Sequence, residues 1–72
     1  MKVLADGPTL TRREQDVVQL IGRGYTNKVI ATRLGLSEFT VRNYLTRIRE
    51  KLAVSNRVGL ALYAVRSIAE EL

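Results

Sequence analysis

The chain has 72 residues and a formal net charge of +5, and it contains no cysteine, histidine or tryptophan. A chain of this length forms one small domain with a modest core, which here has neither disulfides nor a zinc site to reinforce it. Without histidine or cysteine it also lacks the usual general base near neutral pH, the thiolate nucleophile and the common transition-metal ligands. We therefore expect a protein that is not an enzyme and that binds no metal or other cofactor.

The apolar stretches of the sequence are too short to serve as membrane or export signals. None approaches the roughly 18–20 residues needed to cross a bilayer. The opening residues, 1–6, include one lysine but no apolar run of secretory length. These observations predict a cytoplasmic protein without a membrane partner.

The positive charge is concentrated in the middle of the chain. Residues 1–22 and 52–72 are each neutral, whereas residues 23–51 hold seven lysines and arginines against two glutamates. A local excess of this kind, with a pI near 10.3, is typical of proteins that neutralise nucleic-acid phosphates. A solvated basic surface has the same composition, so charge alone leaves both interpretations open.

The beginning of the chain favours irregular structure, and the rest favours helices. Gly7 and Pro8 interrupt any helix or strand, so residues 1–8 are predicted to form a flexible linker or tail. Over residues 9–72 the apolar residues recur at helical spacing, and no segment alternates as a strand does. The predicted fold is therefore all-α, with four helices in one domain over residues 9–72.

Capping residues and glycines mark the ends of the first two predicted helices. Thr11 and Glu14 have the spacing of a capping box, which begins the first helix, and Gly24 supplies its left-handed end. The second helix is about two turns long and runs from an N-cap at Thr26 to Gly35.

A third predicted helix follows the second across a tight turn. Ser37 is its N-cap, and Leu36 is placed to pack against Val41 as a hydrophobic staple. A short helix, a glycine turn and a longer capped helix are typical of the helix-turn-helix motif. An ordinary helical hairpin has the same pattern and remains the alternative at this point.

The third helix has an apolar and a polar side. The apolar arc, which must face the core, consists of Val41, Leu45, Ile48 and Leu52. The polar side holds Arg42, Asn43 and Thr46, with Arg47 and Arg49 at its margins, and none of these positions is acidic. Arginine can bind guanine through two hydrogen bonds, and asparagine can bind adenine in the same way. We predict that Arg42, Asn43 and Thr46 contact bases in the major groove.

A second group of polar residues is better placed for the DNA backbone, because its members lie at helix N-termini or later in the third helix. The predicted phosphate contacts are Thr26, Asn27, Lys28, Ser37, Thr40, Arg47 and Lys51. Thr26 and Ser37 are also predicted caps, and capping alone would account for them.

The motifs together resemble the LuxR/NarL-type DNA-binding domain of bacterial transcription regulators. The resemblance covers about residues 9–72 and is carried, in order, by LTRRE at 10–14, GYTNKVIA at 24–31, LGLS at 34–37, TVR at 40–42 and KLAV at 51–54, followed by Arg57. It implies a four-helix domain that binds the major groove through its third helix and dimerises through its fourth. Base contacts at Arg42, Asn43 and Thr46 are implied as well.

Two positions depart from the family pattern. Val29 replaces the acid that usually completes the capping box of the second helix, so one reciprocal hydrogen bond is missing there. Tyr44 replaces the common histidine of the third helix, and we expect its ring to be half-buried with packing as its main role.

The last predicted helix, capped by Ser55 or Asn56, has two apolar stripes. The first contains Leu60, Ala61, Ala64 and Ile68 and is expected to close the core. The second contains Val58, Leu62, Val65 and Ala69, and we predict that it is the interface of a homodimer. A wide core stripe, or a surface covered by an upstream domain, would give the same pattern.

These features predict a sequence-specific transcription regulator that binds double-stranded DNA and acts by occupying its site. It is either a free-standing regulator or the output domain of a larger response regulator, and RNA polymerase is a further candidate partner. One alternative is the promoter-binding helix-turn-helix of a sigma factor, although such segments end near the recognition helix. The other alternative is a protein-interaction module that uses the apolar face of the last helix.

Overall fold

Four helices follow one another along the chain. The computed structural model describes residues 10–71, and it describes side chains as far as residue 67. The helices are α1 (Arg12–Gly22), α2 (Asn27–Leu34), α3 (Glu38–Leu52) and α4 (Arg57–Glu71). No strand occurs within residues 10–71, which confirms the all-α prediction. The linker predicted for residues 1–8 lies outside the described residues.

Threonine side chains begin α1 and α2 as predicted. Thr11 Oγ1 accepts a hydrogen bond from the Glu14 amide at 3.1 Å, and the Thr11 amide donates to Glu14 Oε1 at 2.8 Å. Thr26 Oγ1 accepts from the Val29 amide at 3.3 Å. Since valine has no carboxylate to return the second bond, the N-terminus of α2 has only half of a capping box.

Side-chain caps also begin α3 and α4. Ser37 Oγ accepts a hydrogen bond from the Thr40 amide at 3.0 Å, which confirms the predicted start of α3. Of the two candidates for the cap of α4, Asn56 fills the position, because its Oδ1 accepts from the Gly59 amide at 3.0 Å.

A residue with a left-handed backbone conformation lies just after each of α1, α2 and α3. Gly24 and Gly35 have φ values of +88° and +69°, as expected for the glycines that follow α1 and α2. The residue after α3 is Ala53, which adopts the same conformation with φ +56°. Its neighbour Val54 donates from its amide to the Arg49 carbonyl at 3.1 Å, so the end of α3 is closed although alanine is disfavoured there by about 1–2 kcal/mol.

The core contains residues from all four helices and from the segment before α1. Ile30, Ile48 and Leu60 are fully buried, one each from α2, α3 and α4. The buried apolar residues are Leu10, Val17, Val18, Ile21, Ile30, Ala31, Val41, Leu45, Ile48, Leu60 and Ala64. The arc predicted for α3 therefore faces inward, with Leu52 half-buried at its end, and Leu36 packs against the same cluster.

The helices pack as two pairs that share this core. α1 packs against α4, while α2 and α3 form the helix-turn-helix pair, and α1 also touches α3. The inner side of α3 is thereby fixed against the core and its outer side is left open. Among the described residues, none of the helices combines the length and the apolar character that a bilayer span requires.

The close approach of α1 and α4 depends on Gly22. A Cβ atom at Gly22 would lie 2.6 Å from the Ala64 Cβ, which is shorter than any normal contact. Because the two backbones must separate to admit a methyl group, we expect Gly22→Ala to lower the free energy of unfolding by about 1–3 kcal/mol. Urea unfolding monitored by circular dichroism measures this loss.

A second substitution identifies the cause of the loss. Adding Ala64→Gly to Gly22→Ala removes the clashing methyl group, so the double variant should lose less than the sum of the two single losses. Simple additivity would show that the Gly22–Ala64 contact does not limit how closely α1 and α4 pack.

Candidate nucleic-acid interface

The outer side of α3 exposes all three residues that the sequence predicts as base contacts. Arg42, Asn43 and Thr46 are exposed, while their chain neighbours Val41 and Leu45 are buried. The Ser37 cap and the turn before it fix where this face begins. The structure therefore brings the three predicted side chains together on one solvent-facing surface.

Internal contacts restrain two of these side chains. The Thr46 hydroxyl donates to the Arg42 carbonyl at 3.2 Å, so its hydrogen points into the helix. Its methyl group and the acceptor side of its oxygen remain available to a ligand. The Arg42 guanidinium lies 6.0 Å from the centre of the Phe39 ring, within the range in which a cation is attracted to an aromatic face.

Arg47 lies at the margin of this face. Its guanidinium is 5.1 Å from the centre of the Tyr44 ring, and the tyrosine is half-buried as predicted. The ring thus holds the cation at its side and reduces the freedom of the flexible arginine, which favours the predicted contact with a phosphate. Arg49, predicted at the opposite margin, is half-buried.

Acidic residues bound the outer face of α3 at both ends. No acidic residue occurs between Phe39 and Arg49, whereas Glu38 and Glu50 are both exposed. Glu50 is seven residues after Asn43 and so shares its side of the helix. The sequence prediction did not include this residue, although the same helical spacing places it there. The acid-free surface therefore begins at Phe39, after Glu38, and ends before Glu50 in the last turns of α3.

The predicted phosphate contacts at the start of α2 and α3 include two capping residues and an exposed lysine. The hydroxyls of Thr26 and Ser37 are occupied as caps, and Ser37 Oγ also donates to Thr40 Oγ1 at 3.0 Å. Lys28 is exposed in the first turn of α2, where helix amides attract anions. Asn27 Oδ1 accepts a hydrogen bond of 2.6 Å from Arg57 Nη1.

Arg57 joins the start of α4 to the start of α2. Besides its bond to Asn27, its Nη2 donates to the Tyr25 carbonyl at 2.7 Å. One guanidinium therefore fixes the segment that leads into α2 and supports the predicted phosphate-binding end of that helix. Sequence reasoning assigned no role to Arg57, because its partners are 30 and 32 residues away along the chain.

Lys51 is tied to the capping box of α1. Its Nζ lies 2.7 Å from Glu14 Oε1, and Glu14 is only 3% exposed. Burial of the carboxyl raises its pKa, but the hydrogen bonds from Lys51 and the Thr11 amide and the charge of Lys51 outweigh burial, so the pKa of Glu14 lies below its ordinary 4.5. The pair connects the last turn of α3 to the first turn of α1.

An open groove between these two turns collects positive charge. Its lining includes Arg12, Arg13, Arg47 and Lys51 against one acidic residue, Glu14, so two predicted phosphate contacts lie beside two arginines of α1. Arg12 and Arg13 are 3.6 and 3.9 Å from the Asp16 carboxylate, respectively, and both are exposed. The groove extends the basic surface of α3 onto α1.

The second apolar stripe of α4 is exposed. Val58, Leu62 and Val65 are 66%, 58% and 54% exposed, whereas Leu60 and Ala64 on the other stripe are buried. The predicted division of α4 into a core stripe and an outer stripe is confirmed for these residues. The side chains of Ile68 and Ala69, predicted on the two stripes, lie outside the described part of the chain.

Comparison with known proteins identifies one family. A sequence model described as bacterial regulatory proteins of the luxR family matches residues 8–64. The transcriptional regulatory protein LnrK of Bacillus subtilis is 46% identical over 57 residues, which are 79% of this chain and 26% of LnrK.

Other relatives show a similar pattern. YvfU of Bacillus subtilis, an uncharacterised transcriptional regulatory protein, is 44% identical over 96% of this chain and 32% of its own length. The DNA-binding transcriptional activator DevR/DosR of Mycobacterium tuberculosis is 42% identical over 76% of this chain and 25% of its own length. The chain thus spans between a quarter and a third of these relatives.

The lowered pKa of Glu14 makes part of the stability dependent on pH. A carboxyl with a folded-state pKa below its unfolded value stabilises the fold above the unfolded value and loses that contribution as the pH falls through the folded one. We expect Glu14→Gln to lower the free energy of unfolding by about 1–3 kcal/mol at pH 7, because Thr11 and Lys51 lose a charged acceptor. The difference from the wild type should shrink as the pH falls below 4.5.

Asp16→Asn is the matched control, since its carboxylate is more exposed and its arginine partners are more distant. Its cost at pH 7 should not exceed about 1 kcal/mol. Urea unfolding at pH 7 and at pH 3 measures both variants, and a Glu14→Gln difference that is equal at the two pH values would contradict the assignment.

Proposed function

The chain belongs to the luxR family of bacterial regulatory proteins, and we propose that it is a sequence-specific transcription regulator that inserts α3 into the major groove of double-stranded DNA. The proposal rests above all on the outer face of α3, where Arg42, Asn43 and Thr46 are exposed together on a helix whose other side is buried. The protein acts by occupying its site and carries out no chemical reaction. Because bacterial chromosomal DNA lies in the cytoplasm, the protein is proposed to act there.

The position of each residue along α3 separates base contacts from backbone contacts. The first turns of a recognition helix lie deepest in the major groove, and later turns rise towards the phosphates. Arg42 and Asn43 follow the Ser37 cap by five and six residues and can form paired hydrogen bonds with guanine and adenine. Arg47, one turn later and held beside Tyr44, is placed for a phosphate.

The start of α2 supplies a second set of backbone contacts. Lys28 and the capped N-terminus of α2 present a cation and helix amides on an exposed surface. Arg57 holds Asn27 at the same end. In the bound state these groups fix the register of α3 without distinguishing bases.

Two copies of the chain pair through the outer stripe of α4. Three large apolar side chains, Val58, Leu62 and Val65, are more than half exposed there. A twofold pair buries the same stripe from both copies and requires a near-palindromic site with half-sites roughly 34–36 Å apart. This stripe is smaller than the roughly 20–30 residues a side of a stable interface, so we expect pairing to appear as cooperative binding to two half-sites.

The fourth helix also favours this proposal over a sigma-factor segment. A promoter-binding segment of that kind ends near its recognition helix, whereas α4 continues for 15 residues beyond it and carries an exposed apolar stripe. RNA polymerase is a further partner that a regulator bound beside a promoter would contact. In a larger regulator of the size of LnrK or YvfU, this chain would be the DNA-binding part.

Binding measured against salt tests the proposed function. Affinity for a random duplex should fall with salt at a log–log slope of about −0.9 for each neutralised phosphate. Lys28→Ala should weaken binding to all sequences alike and make the slope less steep by about one unit. Arg42→Ala should cost about 1–3 kcal/mol on a selected site and reduce the preference for that site over random DNA. Fluorescence anisotropy with labelled duplexes measures each quantity.

Two results would contradict the proposal. Weak binding that does not depend on salt would favour an interaction module over a DNA-binding protein. An equal loss of sequence preference in the Lys28 and Arg42 variants would reject the division into backbone and base contacts.

Leu62→Asp tests the dimer interface. Leu62 is 58% exposed, so the variant should remain helical with an unchanged thermal midpoint but bind paired half-sites without cooperativity. Gln15→Asp adds the same charge at an exposed position of α1, away from the stripe, and should retain cooperativity. Leu60→Asp should unfold the domain, because Leu60 is fully buried. Unfolding of Leu62→Asp would instead place Leu62 in the core.

A further inference from the structure

Phe39 is a large apolar side chain that lies outside the core and has no role in the proposed binding of bases or phosphates. It is 64% exposed, although it is the second residue of α3 and the helix buries Val41, Leu45 and Ile48 against the core. A phenyl ring in water contributes little to the stability of the fold. The stability of the fold therefore does not explain why a phenylalanine occupies this exposed position.

The ring lies on the same face as the predicted base contacts. Residues three, four and seven positions apart share one side of a helix, and these spacings connect Phe39 to Arg42, Asn43 and Thr46. The Arg42 guanidinium is 6.0 Å from the ring centre, so the cation and the ring occupy neighbouring positions on that face. Phe39 precedes all three residues and lies in the first turn, which approaches the base edges most closely.

The chemistry of the major groove limits what such a ring can contact. Guanine, cytosine and adenine present hydrogen-bonding groups on this edge, while thymine also presents a C5-methyl group. A phenyl ring has no hydrogen-bond donor for a phosphate. Apolar wedges that unstack bases act from the minor groove, which is not where α3 is proposed to bind. The C5-methyl group of thymine is the apolar group that remains.

We propose that Phe39 packs against the C5-methyl group of a thymine in each half-site, beside the base that Arg42 binds, and so determines specificity for that thymine. The inference rests on the proposed function, because it assigns one more base contact to the same helix. It adds an apolar contact to a face whose other members bind by hydrogen bonds. The preferred site therefore contains a thymine that Phe39 recognises by its methyl group and not by hydrogen bonds.

Deoxyuridine provides the test, because it differs from thymidine by the absence of this methyl group. Duplexes are first selected from a random pool by the wild-type chain, and each thymine of the preferred site is then replaced singly by deoxyuridine. For one thymine in each half-site, wild-type affinity should fall about fourfold, the effect of burying one methyl group. For Phe39→Ala the same replacement should leave affinity unchanged.

Two further variants serve as controls. Phe39→Leu keeps an apolar side chain at the position and should retain part of the discrimination. Val29→Ala shortens an exposed apolar residue of α2, outside the face, and should discriminate as the wild type does. Since Phe39 is exposed, the circular dichroism of Phe39→Ala should match that of the wild type.

The outcomes separate this inference from the proposed function. If the wild type selects no sequence at all, the proposed function fails and the inference fails with it. If it selects a site without thymine, or if deoxyuridine costs the same in the wild type and in Phe39→Ala, the role of Phe39 is wrong while the proposed function stands. A Phe39→Ala variant with unchanged DNA binding, as expected for a protein-contacting ring, would also overturn the inference.

Discussion

The attachment of the inner side of α3 to the core is the constraint on which the other features depend. Val41, Leu45 and Ile48 are buried among residues of the other helices, so the rotation of α3 about its own axis is fixed by packing. A different rotation would bury arginines and expose the apolar arc, at a cost of several kcal/mol. The outer face consequently presents one set of side chains, and sequence preference requires that a helix offer the same groups at every encounter.

Polar contacts hold the end of α3 and the start of α2 against neighbouring helices. The Glu14–Lys51 pair holds the last turn of α3 against the first turn of α1, and Arg57 holds the start of α2 against the start of α4. Lys51 and Arg57 are cations that could bind a phosphate if they pointed outward, but both are held by contacts within the protein. The Lys51 ammonium is paired with a nearly buried carboxylate, so its position is set from within the protein and Glu14 offsets part of its charge. Arg57 adjoins Val58 of the proposed dimer stripe and contacts the end of α2 that is proposed to bind DNA, so the two proposed surfaces are joined by one side chain.

The fold could be predicted to within a residue or two because its signals are local. Thr11, Thr26 and Ser37 cap helices within three residues of themselves, and Gly35 ends α2 through its own φ. The end of α3 was less visible, since Ala53 adopts the left-handed conformation without being glycine. The exposure of the three residues predicted to contact bases could be derived from helical spacing alone. The partners of Lys51 and Arg57 could not be predicted in this way, because they are brought together only by the packing of whole helices.

The most exposed large apolar side chains outside the core lie on two surfaces. Every large apolar side chain more than half exposed lies in one of two places, Phe39 on the outer face of α3 or the stripe of Val58, Leu62 and Val65 on α4, among the residues whose side chains the structure describes. A chain of 72 residues has little apolar surface to spare, and fully burying such a side chain contributes about 1.5–3 kcal/mol. Leaving four of them in water lowers the stability available to the isolated domain, and the proposed contacts with DNA and a second copy bury these groups. In the proposed complex these four side chains leave the solvent, and their burial contributes to the affinity of binding instead of to the stability of the fold.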